Sequence, residues 1–348
     1  MPFYSMLDPE RVDFSEPISL SDIEYLVSYP KIEVLQCSFP IRVTTWDLLN
    51  SEFFRRRPEV ELRVYGFHAQ PCDLRFASRM SYVRHFAADS ITSASGLEAI
   101  TEMSNLQTLI IGIYNLDNFD FLWKVTDKLT SLLLGATRSK KPDLSPLSRF
   151  QSLTRIYLEG QQKNIDVLSE LNGLEDVTLR SITTPNLHYL SNLLHMWSLN
   201  VKLGGIRDFS AIAGINNLKY LELWQIRGLD NLEFISHQAG LQNLLLQSLP
   251  QITALPSLRE LWNLKRITLQ NLKGIKDFSE LQWAPALQEF ILIQGQPQQP
   301  EDLLPVLRNP AVRRASAHFG SIKKEERFKE LLHVHGIEGS VPFPFNYQ

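Results

Sequence analysis

Few residues of this 348-residue chain have the types and spacing that catalysis or metal binding requires. His333 and His335 offer two imidazoles, but side chains at i and i+2 of a helix point to different faces, so a shared metal ion is not expected. Cys37 and Cys72, the two cysteines, are expected to be buried structural thiols. No nucleophile elbow, phosphate-binding loop, dinucleotide-binding or paired-histidine zinc motif occurs. We therefore expect no enzyme, no cofactor and no metal.

The charge balance also excludes whole classes of partner. The chain has 35 Lys and Arg against 38 Asp and Glu, a formal net charge of -3, which gives no general attraction to nucleic acid or to anionic membranes. Two basic clusters, at 55–57 and 138–141, are interpreted as solvated charge. No apolar run approaches the roughly 20 residues that span a bilayer, and no signal peptide is recognised at the start of the sequence. With so few cysteines for disulfides, we expect a cytoplasmic protein.

Recognition is the chemistry that remains, and it depends on which elements present the aromatic and charged residues. The stretch Leu264–Leu269 has apolar residues at relative positions 1, 4 and 6. The same frame recurs eleven times, and successive copies begin 21 to 25 residues apart. The first residues of the copies are Val83, Leu106, Leu129, Leu153, Leu174, Met196, Leu218, Leu241, Leu264, Leu287 and Val312. A near-constant period of this length indicates stacked repeats, each contributing one short strand.

The segments between the strands share a second motif, an aspartate that can cap a short helical turn before apolar residues. It occurs at Asp143–Leu147, Asp208–Ile212 and Asp277–Leu281. With this period and motif, the chain resembles the leucine-rich repeat proteins, in particular the short subclass of internalins and of a eukaryotic phosphatase-regulating repeat protein. It departs from them because the asparagine that usually bonds the turn three residues after the second strand leucine is missing. We expect these turns to use apolar packing and irregular backbone instead.

The resemblance implies an α/β fold, a curved leucine-rich repeat solenoid of about 11–12 repeats with a parallel concave sheet and a helical cap at each end. We expect an N-terminal cap with a degenerate first repeat at 1–82, the repeat array at 83–320, and a C-terminal capping helix and tail at 321–348. Ser21, with Glu24 three residues on, predicts the start of an N-terminal helix. Ser321 and Gly336 predict the limits of the C-terminal helix. The apolar, proline-rich tail 341–348 is expected to pack along the cap, or alternatively to bind a partner.

Strand residues at positions 4 and 6 of each frame should point into the core, and those at 3, 5 and 7 outward. We call the sheet face with positions 3, 5 and 7 the open face, and we expect it to be the concave one. Its predicted partner-binding residues are Ile110, Leu133, Arg155, Tyr157, Glu159, Arg180, Lys202, Tyr220, Glu222 and Trp224. Tyr, Trp and Arg are enriched at binding hot spots. The alternative is a solvated face whose charges pair across strands, as Glu159 with Arg180 or Lys202 with Glu222.

The sequence therefore predicts a non-catalytic, monomeric scaffold that binds a protein partner of unknown identity on its concave face. One form of this function is a bacterial immunity or neutralising protein. The alternative is a regulatory subunit that docks on an enzyme such as a phosphatase. Fold-level resemblance alone does not choose between them.

Overall fold

Parallel strands at the spacing of the sequence repeat dominate the computed structural model, which describes residues 4–67, 70–340 and 344–348. The chain divides into two units, Met1–Gly173 (unit 1) and Leu174–Gln348 (unit 2). Each unit is built from strands that alternate with short helical turns. This arrangement confirms the predicted leucine-rich repeat architecture of parallel strands and short returns.

Unit 1 holds the first strands of the chain. They are β1 (Tyr4–Asp8), β2 (Arg11–Phe14), β3 (Val34–Cys37), β4 (Glu61–Tyr65), β5 (Cys72–Asp73), β6 (His85–Ile91), β7 (Ala94–Ser95), β8 (Thr108–Ile113), β9 (Ser131–Leu134) and β10 (Arg155–Glu159). β1 and β2 pair antiparallel, whereas β2, β3, β4, β6, β8, β9 and β10 pair in that order as parallel neighbours. β5 and β7 form a separate short parallel pair on the return segments.

The helical segments of unit 1 close its N-terminal end and return the chain between strands. They are α1 (Leu20–Ser28), α2 (Val43–Leu48), a π-helix at Leu49–Phe54, and 3-10 turns at Arg75–Arg79, Leu97–Glu102, Asp120–Lys124, Ser145–Arg149 and Ile165–Glu170. The predicted cap residue of α1 was wrong by two positions. Ser19 rather than Ser21 caps the helix, because Asp22 bonds back to the Ser19 amide at 2.8 Å and completes a reciprocal capping box there.

Unit 2 continues the repeats in one uninterrupted parallel order. Its strands are β11 (Asp176–Arg180), β12 (Ser198–Lys202), β13 (Tyr220–Trp224), β14 (Asn243–Gln247), β15 (Arg266–Gln270), β16 (Glu289–Ile293), β17 (Arg314–Ala317) and β18 (Glu338–Gly339). The strands pair in sequence order and in register, so that like positions of successive repeats lie side by side. The register places side chains that are far apart in sequence in continuous columns on the open face.

Helical segments return the chain between the strands of unit 2 and close its C-terminal end. They are 3-10 turns at His188–Leu190, Ser210–Ile212, Glu233–His237, Ser279–Trp283 and Pro300–Leu303, then α3 (Leu304–Leu307) and α4 (Ile322–His335). The predicted limits of α4 are confirmed, with Ser321 before it and Gly336 in a left-handed conformation after it. Phe328, Leu331 and Leu332 are the buried side chains of α4.

The alternation along each strand confirms the predicted frame. In β13, Leu221 and Leu223 are fully buried, while Tyr220 and Trp224 remain partly exposed on the other face. A shift of one residue would have reversed this pattern. The leucines at positions 4 and 6 therefore form the core, and positions 3, 5 and 7 lie on the open face as predicted.

The turns that follow the strands share a regular backbone, so the predicted irregularity was wrong. Position 8 of most repeats is left-handed, with φ between 50° and 57° at Ser90, Ser181, Leu203, Gln225, Ser248, Asn271 and Gln294. This conformation aims the amide of Ser181 at the carbonyl of Lys202 at 2.7 Å, and the next repeats do the same. The expected apolar packing at position 9 is confirmed by fully buried residues such as Ile182 and Ile226. Buried side chains and a repeated backbone bond thus replace the asparagine.

The aspartates of the return motif bond the first amide of each 3-10 turn, from the position just before the residue that caps it. Asp143, Asp208 and Asp277 each accept a hydrogen bond at 2.8 Å from the amide of the serine two residues on. Bonds from that serine hold the pKa of each carboxyl below its usual value. The charged form is the one that the folded chain stabilises.

Acid should therefore weaken the fold in part through these three groups. A carboxyl with a lowered folded pKa contributes stability above its unfolded pKa, about 3.9, and loses it as the pH falls through the folded pKa. The variant Asp143→Asn/Asp208→Asn/Asp277→Asn retains a capping oxygen but not the titration. In urea unfolding at pH 7 and pH 3, we expect the variant to lose less stability on acidification than the wild type. An equal loss in both proteins would contradict this assignment.

Candidate interaction surfaces

The first candidate surface is a pocket on the open face of unit 1. Position 5 of successive strands places Ile110 beside Leu133, and Leu133 beside Tyr157. These three side chains line a pocket of about 460 Å³, with Glu159 at its margin. The structure thus brings together four of the five predicted site residues of this unit. Arg155 lies exposed at the start of β10, outside the residues that line the pocket.

Two glycines at position 7 keep the pocket open. A Cβ atom added to Gly135 would lie 3.1 Å from the Cα atom of Gly112, closer than about nine in ten real contacts of this kind. Because neither residue has a side chain, the column that elsewhere holds large residues is empty here. Ile110 and Leu133 therefore remain accessible from the open face, where the sequence predicted an apolar floor.

Hydrogen bonds hold the polar rim of the unit 1 pocket. The Tyr157 hydroxyl donates to the Glu159 carboxylate at 2.9 Å. The Glu159 amide donates to the side-chain oxygen of Gln161, a fully buried residue whose nitrogen donates to the Gly135 carbonyl at 2.8 Å. The phenol thus bonds a carboxylate whose own backbone is joined to the pocket through Gln161.

The second candidate surface is a cluster on the open face of unit 2, which we call the aromatic cluster. Its members are Arg180, Lys202, Tyr220, Glu222 and Trp224, the five predicted site residues of this unit. The ladder places Lys202 between Arg180 on one neighbouring strand and Trp224 on the other, in a single column. The Arg180 guanidinium carbon lies 5.4 Å from the centre of the Trp224 ring, within the range of a cation–π contact.

Glu222 is the centre of the polar contacts in the aromatic cluster. Its carboxylate accepts from the Lys202 ammonium at 2.8 Å, which confirms the predicted cross-strand pair, and from the Tyr220 hydroxyl at 3.1 Å. Burial and the Glu222 charge raise the pKa of Tyr220. The phenol is therefore neutral at physiological pH and acts as a hydrogen-bond donor. The pairing of Glu159 with Arg180 stays a prediction.

Three solved structures of repeat proteins are similar to this chain. An internalin (inlF) from Listeria monocytogenes is 18% identical with a TM-score of 0.59, over 88% of this chain and 86% of the internalin. Internalin C2 from the same species is 21% identical with a TM-score of 0.39, over 59% of this chain and 77% of that one. A leucine-rich repeat protein of Leptospira interrogans is 16% identical with a TM-score of 0.45, over 91% of both chains.

The chain has the leucine-rich repeat fold. The likeness to the internalin inlF carries this conclusion together with the repeated strands and turns, and at 18% identity it concerns the fold alone. No protein-family model and no curated protein matches the chain.

The tail of this repeat protein is the feature that sequence reasoning placed wrongly. Residues 344–348 lie against the starts of the strands of unit 2, not along the capping helix; 341–343 fall outside the described residues. The Tyr347 ring centre lies 5.2 Å from that of Trp197 and 6.1 Å from that of Tyr220. Tyr220 is half-buried next to the tail, a contact that the sequence did not predict.

Several residues at this contact were missing from the predicted site. Trp197, Gln242 and Lys265 occupy position 2 of their repeats, just before the strand, whereas the prediction considered only positions 3, 5 and 7. Asn243 and Arg266 do occupy position 3, but they are neither aromatic nor part of the expected cluster. The useful signal would have been the large or amide side chains at position 2 of consecutive repeats.

The two cysteines and His335 lie in ordinary structural surroundings. Cys37 and Cys72 are free and buried, and burial raises the pKa of Cys37 and raises that of Cys72 to about 12, so both stay protonated thiols. His335 bonds the Leu331 carbonyl of its own helix at 2.9 Å.

Within residues 4–67, 70–340 and 344–348, no group of three or more His, Cys, Asp or Glu is placed to hold a metal ion. Over the same ranges, no helix is long and apolar enough to cross a membrane.

Proposed function

We propose that this leucine-rich repeat protein is a non-catalytic scaffold that binds a protein partner through its open face. The observation that supports it most is the aromatic cluster. Tyr220 and Trp224 are oriented by Glu222 and Arg180 on a regular ladder, and both keep part of their surface accessible. Oriented aromatic side chains with polar handles supply binding energy at a low cost in side-chain entropy. The unit 1 pocket supplies a second place for an apolar anchor.

Within this function, we propose that the chain acts in the cytoplasm and neutralises its partner, as an immunity protein does with a toxin. The repeats occupy about two thirds of the sequence, so most of the chain contributes to presenting the open face. Such a role requires a tight complex of one chain with one partner molecule. It also requires that the bound partner lose its own activity.

Affinity capture from the native cell lysate tests the proposed function. Wild type and Tyr220→Ala/Trp224→Ala are used as baits, after circular dichroism has shown that both are folded. We expect a partner that the wild type retains and the double variant loses. A partner recovered equally by both baits would place the interface elsewhere, and recovery of no partner would contradict the proposed function.

A further inference from the structure

The tail segment, residues 344–348, lies on the open side of unit 2 as an extended peptide. Phe345 and Tyr347 are half-buried, whereas Pro344, Asn346 and Gln348 are exposed. This alternation is that of a strand with one face turned toward a surface. The two aromatic rings, 4.8 Å apart between centres, are therefore the side chains by which the segment is held.

The surface under these rings consists of residues at positions 2 and 3 of four successive repeats. We call it the tail platform, and it comprises Trp197, Tyr220, Gln242, Asn243, Lys265 and Arg266. Tyr347 packs between Trp197 and Tyr220, and its hydroxyl accepts from the Asn243 side chain at 3.1 Å. The Arg266 guanidinium carbon lies 5.1 Å from the centre of the Phe345 ring. Each ring thus has both a packing partner and a polar or cationic one.

The platform also holds the peptide backbone. The Gln242 side chain donates to the Gln348 carbonyl at 2.8 Å and accepts from the Gln348 amide at 3.0 Å. Gln242 is only 6% exposed, so its amide has a fixed orientation. Two bonds from one side chain to the amide and to the carbonyl oxygen of the same residue hold its backbone, whatever the side chain at that place. Lys265 adds a contact to the Gln348 side-chain oxygen.

Contacts that do not involve the tail hold several platform residues in place. Glu289, itself 2% exposed, accepts from Arg266 at 2.5 Å. Glu222 holds the Tyr220 hydroxyl at 3.1 Å. The parallel ladder fixes the spacing of Tyr220, Asn243 and Arg266 on consecutive strands. The platform is therefore preformed, which lowers the cost of binding any extended segment that matches it.

We propose that the tail platform is a binding site for an extended segment of a partner protein that carries an aromatic residue, any residue, and then a tyrosine. The chain's own tail segment is the resident occupant, and the partner's segment displaces it. This proposal rests on the proposed function, because it names the partner feature that the open face recognises. Two half-buried rings and a handful of exchangeable hydrogen bonds hold the tail, and another segment with the same groups would make the same contacts.

Displacement has a quantitative consequence. A tethered occupant reduces the apparent affinity for a free segment by the fraction of time that the site is open. If the tail covers the platform about nine-tenths of the time, emptying it raises the apparent affinity about tenfold. The tail would thus act as a built-in competitor.

The test is a titration with a fluorescein-labelled peptide of the sequence of residues 344–348, followed by fluorescence anisotropy. The proteins are the full-length wild type, the emptied variant Phe345→Ala/Tyr347→Ala, and Asn346→Ala as a matched control at an exposed tail position. We expect the emptied variant to bind the peptide at least about tenfold more tightly than the wild type, and the control to match the wild type. Trp197→Ala in the emptied variant should weaken binding about tenfold. If the double variant does not fold, Tyr347→Phe, which removes only the hydroxyl, should still raise the affinity about threefold.

Equal peptide affinity in the wild type and the emptied variant would overturn the proposal, even if the capture experiment with Tyr220→Ala/Trp224→Ala succeeds. Tight peptide binding together with failure to capture any partner would contradict the proposed function instead. Sedimentation distinguishes a foreign segment from the tail of a second copy of the chain. A wild type that sediments as a dimer at high concentration, beside a monomeric emptied variant, would show tail exchange between copies and would overturn the role of a foreign segment.

Discussion

The variant Glu289→Ala should lower the free energy of unfolding by about 3 to 5 kcal/mol, the range found when one partner of a buried ion pair is removed. Glu289 is 2% exposed and accepts from Arg266 and from the Ser340 hydroxyl, each at 2.5 Å. Arg266 is itself 8% exposed, so the substitution leaves a buried guanidinium without its carboxylate. Urea unfolding at pH 7, followed by circular dichroism, measures the change.

The matched control is Glu301→Ala, which breaks an ion pair at the surface. Glu301 accepts from Arg327 at 2.8 Å, and both side chains are 49% exposed. Exposed pairs of this kind contribute at most about 1 kcal/mol. A loss of stability in Glu289→Ala no larger than that in the control would contradict the structural role of the buried pair.

The variant Ile110→Arg/Leu133→Arg should weaken binding of the captured partner at least about 100-fold, which corresponds to about 2.7 kcal/mol. Both residues line the unit 1 pocket, and both point out of the sheet, so the longer side chains fill the pocket without entering the core. Charged groups in place of an apolar anchor site remove the burial that the partner would gain and add a desolvation cost. Isothermal titration calorimetry with the purified partner measures the effect.

Trp123→Ala serves as the control for the unit 1 pocket, because Trp123 is 45% exposed on a return turn of the same unit. We expect its affinity to stay within about twofold of the wild type. If Ile110→Arg/Leu133→Arg remains folded and binds as tightly as the wild type, the pocket is not part of the interface.

The repeat frame could be predicted from sequence because each repeat carries its own local pattern. Leu221 and Leu223 are buried and Tyr220 and Trp224 face outward, as the alternation within five residues requires. The neighbouring strands then follow from the constant period, which sets Lys202 beside Trp224. Even the Lys202–Glu222 ion pair was foreseeable, since it needs only the frame and one strand-to-strand step.

The contact of the tail could not be predicted in this way. Gln242 and Gln348 are 106 residues apart, and the tail itself lies beyond the last repeat frame, so no periodic signal fixes where it crosses the strands. Its aromatic residues suggested burial, and packing along the cap was the expected arrangement, because nothing in the sequence directs the tail to the open face. The partial burial of Tyr220 follows from that contact and was missed with it. Trp197 was missed because it precedes its strand, where the alternation rule does not apply.

The backbone of the turns was mispredicted for a different reason. Residues such as Leu203 and Gln225 adopt a left-handed conformation that their side chains disfavour by roughly 1–2 kcal/mol per residue. The irregular turn was predicted from the missing asparagine, and these side chains give no sign of a left-handed residue either. The bond that the conformation makes possible, from the Leu203 amide to the Trp224 carbonyl at 2.8 Å, is a property of stacked repeats and has no local signature.

Binding of a protein partner to the open face can be measured by a calorimetric titration of the captured partner into three proteins. These are the wild type, Tyr220→Ala/Trp224→Ala on the open face, and Trp262→Ala/Trp283→Ala, whose rings are 66% and 48% exposed outside the strands of the same unit. We expect a complex of one to one with the wild type, unchanged affinity for the Trp262 and Trp283 variant, and a loss of at least about 100-fold for the open-face variant. Full affinity in a folded Tyr220→Ala/Trp224→Ala, with binding lost only in Trp262→Ala/Trp283→Ala, would contradict this expectation and would place the partner on the return turns.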